Sequence, residues 1–358
     1  MRNFLFLTAA ILIAATGARA QRIQVVDSDG NGIHLVCVLT EEGNMIGTTS
    51  LEGVIADVKG AKRIVLTHVT YKPQLVDVAS LKDGRVTMED IDYSLAEVTV
   101  KPKPYIYVQT YYRAYAFIND SLRYYSAGIL PNAYDTQKKK VKTGSYYNSR
   151  GEFSLSIKVL TTWGARTEYF HAGRIKNSGA NNLLSGGKFA EKYFTTLTDE
   201  GKGRRRVSNP EGTVGYIEQE NGQTFMTLDG AKMQMYRNKA LGQEKLLKRR
   251  EEKGYDYRFT EIFNYDEDGD SNISDLVMYS NHWEWNGSNG RRKLIIETYA
   301  TERSYLDAKE FKAKKNELKE TYKSPMKLEL LENYATSHNI PALAPSIRQA
   351  IEKLPKKY

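Results

Sequence analysis

The feature that most constrains this chain is residues 95–115, where two strand-like segments flank a proline-rich break. Apolar and polar side chains alternate on both sides of the break, as they do in half-buried strands. Pro102 and Pro104 have no backbone N–H and hold the residues before them extended, so neither suits the inside of a central strand. Residues 101–104 are therefore predicted to form a stiff spacer between two domains.

Residues 1–20 have the composition of a cleavable secretory signal. Arg2 precedes an apolar run, and Ala18 and Ala20 form an A-x-A site before Gln21. The run is short for a membrane anchor, and no cysteine stands near the cleavage site to carry a lipid. We therefore expect an exported protein that begins near Gln21 and has no transmembrane segment after cleavage. Its predicted location is periplasmic or associated with the outer membrane.

The chain is basic, and export changes what this basicity implies. The formal net charge of +9 falls to +7 when Arg2 and Arg19 leave with residues 1–20, which contain no acid. Inside a cell such a charge would point to nucleic acid, which is not expected as a partner of an exported chain. The expected partners are envelope glycan, lipid or an outer-membrane protein. The alternative is that the basic runs are solvated faces without any partner.

Residues 21–100 are predicted to form a small antiparallel β-sandwich, because short strand-like runs follow one another with Gly, Asn and Asp between them. The only cysteine, Cys37, lies in one of these apolar runs, HLVCVL. It has no partner for an internal disulfide. We predict a buried strand thiol and not a nucleophile.

The same residues resemble a known family. The positions that carry the resemblance are, in order, Val26, Asp27, Asp29, Gly30, Ile46, Gly47, Thr48, Thr49, Gly53, Tyr71, Leu95, Glu97, Val98 and Val100. This series resembles the carboxypeptidase regulatory-like domain of exported Bacteroidetes proteins, over about residues 22–100. The resemblance implies a transthyretin-like sandwich without catalytic residues. Ser50 and Thr70 depart from the family pattern, where Asp and Gly are usual.

The rest of the chain is predicted to form a second domain. Strand-like runs dominate residues 105–302, and residues 303–358 are helix-forming and expected to pack on that sheet. The fold class is thus mainly β or α+β: a transthyretin-like antiparallel sandwich, a larger antiparallel sheet and C-terminal helices.

Several local features of the second domain are predicted from turn and capping residues. Residues 119–121 are expected to cap a short helix, and residues 220–222 and 286–290 to close hairpins. Residues 199–212 are expected to form a long loop, and Ser324 with Pro325 to begin a helix.

Two groups of residues are candidate binding sites. Tyr107, Tyr111 and Tyr112 belong to a tyrosine-rich strand that could stack on sugar rings, although such a stripe also suits the lining of a sheet. Asp266, Asp268 and Asp270 alternate as calcium ligands do. The calcium-loop pattern then fails at Ser271 and Val277, so a plain acidic hairpin is the favoured reading.

No catalytic motif and no cofactor other than calcium is indicated by the sequence. His282 and Glu284 share a strand face and could meet a metal, but paired polar residues on a wet strand face are the simpler explanation. There is no G-x-S-x-G elbow and no phosphate-binding loop. The prediction is an exported, non-enzymatic envelope protein with a binding or assembly domain. The alternatives are a carrier of lipid or another apolar ligand on a curved sheet, and a hydrolase of glycans or peptides.

Overall fold

The computed structural model describes residues 22–91, 104–135, 140–144, 146–151, 188–220, 222–264, 276–288, 290–320 and 324–357. The predicted signal and most of the predicted spacer lie outside these residues. So do the candidate calcium ligands Asp266, Asp268 and Asp270. The mainly β fold class, with antiparallel sheets and C-terminal helices, is confirmed.

Seven short strands form the N-terminal sandwich. They are β1 (Ile23–Val26), β2 (Cys37–Thr40), β3 (Met45–Thr48), β4 (Val54–Ile55), β5 (Arg63–Thr67), β6 (Gln74–Asp77) and β7 (Arg85–Thr87). One sheet has the order β4-β1-β7 and the other β3-β2-β5-β6. All described pairings in the sandwich are antiparallel except that of β1 with β7. Apolar side chains from the two sheets meet in a core of their own.

A much larger sheet contains the remaining described strands. They are β8 (Tyr105–Ile118), β9 (Ser121–Asp135), β10 (Lys140–Thr143), β11 (Tyr146–Gly151), β12 (Thr196–Gly201), β13 (Arg204–Asn209), β14 (Gly212–Glu220), β15 (Gln223–Asp229), β16 (Asp256–Asn264), β17 (Leu276–Gly287), β18 (Gly290–Leu306), β19 (Ser324–Pro325) and β20 (Lys356–Lys357). The order is β12-β13-β14-β15-β16-β17-β18-β8-β9-β11-β19, with β10 on β9 and β20 on β11. The predicted connections at residues 220–222 and 286–290 do join antiparallel neighbours.

The described helices lie in two groups. They are α1 (Lys188–Tyr193), α2 (Gly230–Ala240), α3 (Glu244–Glu252), α4 (Ala308–Glu320), α5 (Leu328–Ser337) and α6 (Pro345–Lys353). The C-terminal group was expected to pack on the sheet and does so. Phe311 of α4 stacks on Tyr105 of β8 with ring centroids 4.3 Å apart, and buried residues of α5 and α6 join a core cluster with β8, β9 and β18.

The predicted helix after residues 119–121 is wrong, because β9 begins at Ser121. Asn119 and Asp120 have φ values of 48° and 65°, the left-handed pair that a two-residue hairpin requires. The Asn119 side chain accepts a hydrogen bond from the Arg291 backbone N–H at 3.0 Å and so ties the turn to β18. The same residue types favour helix caps and such turns, and here pairing with β8 decides between them.

Two further local predictions are wrong. Residues 199–212 are not a long loop, because they include the paired strands β12 and β13 and the start of β14. Ser324 and Pro325 do not begin a helix. They pair with Tyr146 and Tyr147 of β11, and α5 begins three residues later, at Leu328.

The sandwich lies on the large sheet. Its four-stranded sheet, β3-β2-β5-β6, lies between its three-stranded sheet and the large sheet. Cys37, Leu39 and Val65 alternate with residues of the sandwich core and point the other way. They join a second cluster with Tyr115 of β8 and Ile295 of β18. Strands β2 and β5 of this sheet are therefore buried on both faces, which their nearly continuous apolar runs suit. The domain boundaries stay a prediction, but the two bodies share this buried cluster.

Candidate functional site

The region where the sandwich meets the large sheet, called the joint here, brings several chemically distinct side chains together. It contains a cavity of about 40 Å³. The cavity is lined by Cys37, Leu39, Met45, Thr67, His68 and Pro73 of the sandwich, by Arg113, Tyr115, Phe117, Ile295, Glu297 and Tyr299 of β8 and β18, and by Pro341, Ala342, Leu343, Ala344 and Ile347 at the C-terminal end. A thiol, an imidazole, a guanidinium and a carboxyl group thus line one small space.

Glu297 and Arg113 form the charged centre of the joint. They occupy opposite positions in the register of β18 and β8. Arg113 is 3% exposed, and its Nη1 donates to the Pro341 carbonyl at 2.7 Å while its Nε donates to the Tyr111 hydroxyl at 3.2 Å. The Tyr115 hydroxyl donates to Glu297 Oε2 at 3.3 Å. Burial raises the pKa of the Glu297 carboxyl, and the Arg113 charge opposes that rise.

Three buried histidines, two from the sandwich and one from the large sheet, lie close enough to influence one another's charge. Burial lowers the pKa of His34 to about 3, against the opposing effect of the Ser50 backbone, and the charge of Arg258 lowers it further. Burial also lowers the pKa of His68 to about 4. For His282, burial and the charge of Lys293 lower the pKa well below its usual value. All three rings are therefore neutral near pH 7.

His282 Nδ1 has no hydrogen-bond partner within the described part of the chain. His282 Nε2 lies 3.1 Å from Ser280 Oγ. Although His282 and Glu284 share a strand face as predicted, Glu284 is engaged by two cations, Arg291 and, at 3.1 Å, Lys293. Among the residues that the structure describes, no three or more His, Cys, Asp or Glu side chains are placed to hold a metal ion.

Cys37 is free and buried in β2, as the sequence predicts. Burial raises the pKa of its thiol to about 12, and the nearby Glu297 carboxylate raises it as well. A thiol with such a pKa stays protonated at neutral pH and is a poor nucleophile. Cys37 therefore acts as a small apolar side chain of the joint.

The size of the cavity limits what these groups can do. A space of about 40 Å³ has room for a few water molecules, whereas pockets for small-molecule ligands measure roughly 300–1,000 Å³. Neither a sugar nor a peptide fits between Glu297, His68 and Cys37 while the joint is closed. The arrangement can hold the sandwich in place and can respond to protonation.

The three predicted tyrosines do not converge on one surface. Tyr107 and Tyr111 lie on the face of β8 that α4 and α5 cover. The Lys314 ammonium of α4 lies 4.9 Å from the centre of the Tyr107 ring, and the ring centres of Tyr334 of α5 and Tyr111 are 6.2 Å apart. Tyr112 points to the other face of the sheet, where its hydroxyl is 3.2 Å from Ser126 Oγ. Their role in ligand binding stays a prediction.

Arg113 and Glu297 were not singled out from the sequence, although a signal for them exists. Arg113 stands between Tyr111 and Tyr115 at alternate positions of one strand, and Glu297 stands between Ile295 and Tyr299 in the same way. A charged residue at a core-facing position of an aromatic or aliphatic strand is rarely buried without a partner. Two such strands in one chain predict a buried pair.

Comparison with known protein families found no match for this sequence, and comparison with curated proteins also found none. The resemblance of residues 22–100 to the carboxypeptidase regulatory-like domain therefore stays a prediction. In the described part of the chain, none of the helices combines the length and the apolar character needed to cross a lipid bilayer.

Proposed function

We propose that this protein is an exported, non-enzymatic component of the cell envelope that binds a partner or takes part in an assembly. The observation that supports this best is the position of Cys37, His68 and Glu297, which line a cavity of only about 40 Å³. The described groups best suited to acid–base or nucleophilic chemistry are used to join two parts of the protein. Binding is then left to the outer surfaces.

The contacts across the joint suit a rigid scaffold. The Met45 backbone N–H donates to the Asp120 carbonyl at 2.8 Å, and Lys59 forms an ion pair with the Asp120 carboxylate at 2.8 Å. Arg258 Nη1 donates to the Thr49 carbonyl at 3.2 Å. With the shared apolar cluster, these polar contacts hold the sandwich in one orientation, so the two bodies present their surfaces at a constant geometry.

Export is tested by expressing the full chain in a bacterium with an outer membrane and sequencing the N-terminus of the recovered protein. We expect a chain that begins near Gln21 and is found in the periplasmic or outer-membrane fraction. An intact chain in the cytoplasmic fraction would contradict the proposal.

The absence of catalysis is tested by incubating the protein with envelope glycans and with peptide mixtures and analysing the products by mass spectrometry. Glu297→Gln is the matched variant, because it keeps the size of the side chain and removes the acid. We expect that every product found with the wild type is also found with Glu297→Gln. Turnover that this substitution abolishes, in a variant with an unchanged thermal midpoint, would show an enzyme instead.

A further inference from the structure

The helical segment of residues 230–253 concentrates positive charge on two short helices. It consists of α2, α3 and the turn between them. The segment contains eight lysines and arginines against three glutamates, namely Lys232, Arg237, Lys239, Lys245, Lys248, Arg249, Arg250 and Lys253 against Glu244, Glu251 and Glu252. We call it the basic helical surface.

The two helices of the basic helical surface differ in how they are held. α2 is anchored, because Ala231 and Met233 are buried in clusters with residues of the large sheet. α3 has no buried residue along its whole length. A helix in a globular protein usually buries an apolar stripe against a neighbour. α3 therefore has exposed side chains, including Leu246, that an external partner can contact.

Exposed apolar side chains accompany the charge. Leu241 is 48% exposed at the end of α2, Leu246 is 45% exposed on α3, and Phe194 is 39% exposed just after α1. Phe194 belongs to the same surface, because its ring contacts Tyr236 of α2 edge-on, with centroids 5.7 Å apart. In the described residues only two other large apolar side chains, Leu75 and Leu330, are as exposed.

Half of these eight cationic side chains are available to an external partner. Lys239 pairs with Glu211 at 2.7 Å, and Lys232 lies 3.8 Å from Asp229. The side chains of Arg237, Lys245, Lys248 and Lys253 make no ion pair within the described ranges of the chain.

We propose that the basic helical surface docks on an anionic lipid leaflet. Lysines and arginines near such a surface are attracted to lipid phosphates, and leucine and phenylalanine side chains gain by entering the boundary between headgroups and acyl chains. Phe194, Leu241 and Leu246 provide the apolar part. A soluble polyanion would satisfy the cations but leave these three side chains in water, so the combination favours a membrane over a free polysaccharide.

The inference builds on the proposed function, since it names the envelope lipid as a partner of an exported protein. Docking is tested with vesicles and purified protein, so it is measured whether or not export occurs in cells. The chain used begins at Gln21, because the apolar run of residues 4–15 would bind lipid by itself. The vesicles contain phosphatidylcholine alone or phosphatidylcholine with about a third phosphatidylglycerol, and bound protein is measured by sedimentation.

Two double variants separate the charged from the apolar contribution. Lys245→Gln with Lys248→Gln should weaken binding to anionic vesicles by about fivefold for each charge removed, and added salt should weaken the wild type in the same direction. Leu241→Gln with Leu246→Gln should weaken it by at least tenfold. Gln keeps good helix propensity, and the changed side chains are exposed, so the thermal midpoint should not move.

Matched controls lie elsewhere on the surface. Leu330→Gln removes an equally exposed leucine from α5, and Lys309→Gln with Lys312→Gln removes two exposed lysines from α4. These variants should bind anionic vesicles like the wild type. The inference is overturned if the wild type does not prefer anionic vesicles, if the control variants weaken binding as much as the test variants, or if the leucine variant has no effect.

Discussion

Lowering the pH from 7.5 to 5 should loosen the joint through its neutral histidines, and His34 allows the effect to be calculated. Burial lowers the pKa of His34 to about 3 from an ordinary value near 6.5. Between these two values the unfolded chain binds a proton at this ring that the folded chain does not bind. The free energy of unfolding therefore falls as the pH falls through 6.5, and the loss is complete only near pH 3.

The magnitude at pH 5 follows from the distance to the unfolded pKa. At that pH the folded His34 is still neutral, whereas the unfolded ring lies about 1.5 pH units below its own pKa. Each unit corresponds to about 1.4 kcal/mol, so His34 alone should remove about 2 kcal/mol of stability. His68 and His282 act in the same direction, because burial also lowers their pKa values. Glu297 acts in the opposite direction, since burial raises its pKa.

The contribution of His34 is isolated by comparing variants instead of reading the total pH dependence. His34→Leu removes the titrating group and places an apolar side chain at this buried position. The difference in urea-unfolding free energy between pH 7.5 and 5 should be about 2 kcal/mol smaller in His34→Leu than in the wild type. His338→Gln, which lies at the end of α5 outside the joint, serves as the control. Equal pH dependence in the wild type and in His34→Leu would refute the reasoning.

Three further predictions concern the joint and the hairpin that contacts it. Glu297→Ala should destabilise the protein by about 3 kcal/mol because it removes the buried carboxylate whose charge faces the buried Arg113 across β18 and β8, and Glu297→Gln should cost less; equal thermal midpoints for Glu297→Ala and the wild type would contradict this electrostatic role. Val65→Ala should lower the free energy of unfolding by about 1–3 kcal/mol, because Val65 belongs to the cluster that the sandwich and the large sheet share. For the same reason it should lower the unfolding midpoint measured by the fluorescence of Trp283 and Trp285, which lie in the large sheet. An unchanged fluorescence midpoint would mean that the sandwich unfolds separately. Asn119→Ala should lower the free energy of urea unfolding by about 1–2 kcal/mol, because alanine disfavours a positive φ and cannot accept the hydrogen bond from the Arg291 N–H. Asn119→Gly should lower it less, and the reverse order of the two variants would contradict the turn geometry.

The strand content could be predicted from the sequence because alternation is a local property. The alternating residues after Pro104 do form β8, and the glycine-containing connections at residues 220–222 and 286–290 do close hairpins. The helices α2 and α3 were not predicted, and α3 shows why. It buries no residue, so it has no apolar stripe of the kind that identifies a helix in a sequence.

The joint depends on contacts between residues far apart in the chain, and no local pattern contains them. Arg113 and Glu297 lie opposite each other on adjacent strands, although the two residues are 184 positions apart in the sequence. One clue was present, since the HLVCVL run is apolar at both odd and even positions. A strand of that kind is buried on both faces, which predicts a second covering layer without saying what the layer is.

The burial of β2 and β5 on both faces restricts how this sandwich can be reused. One of its faces is complementary to β8 and β18, and Cys37, Leu39 and Val65 would meet water if the sandwich were transplanted to another chain. Recombination that moved residues 22–91 alone would thus transfer an adhesive, aggregation-prone fragment. The sandwich and the sheet are expected to be inherited as one piece, with compensating substitutions on the two sides of their contact.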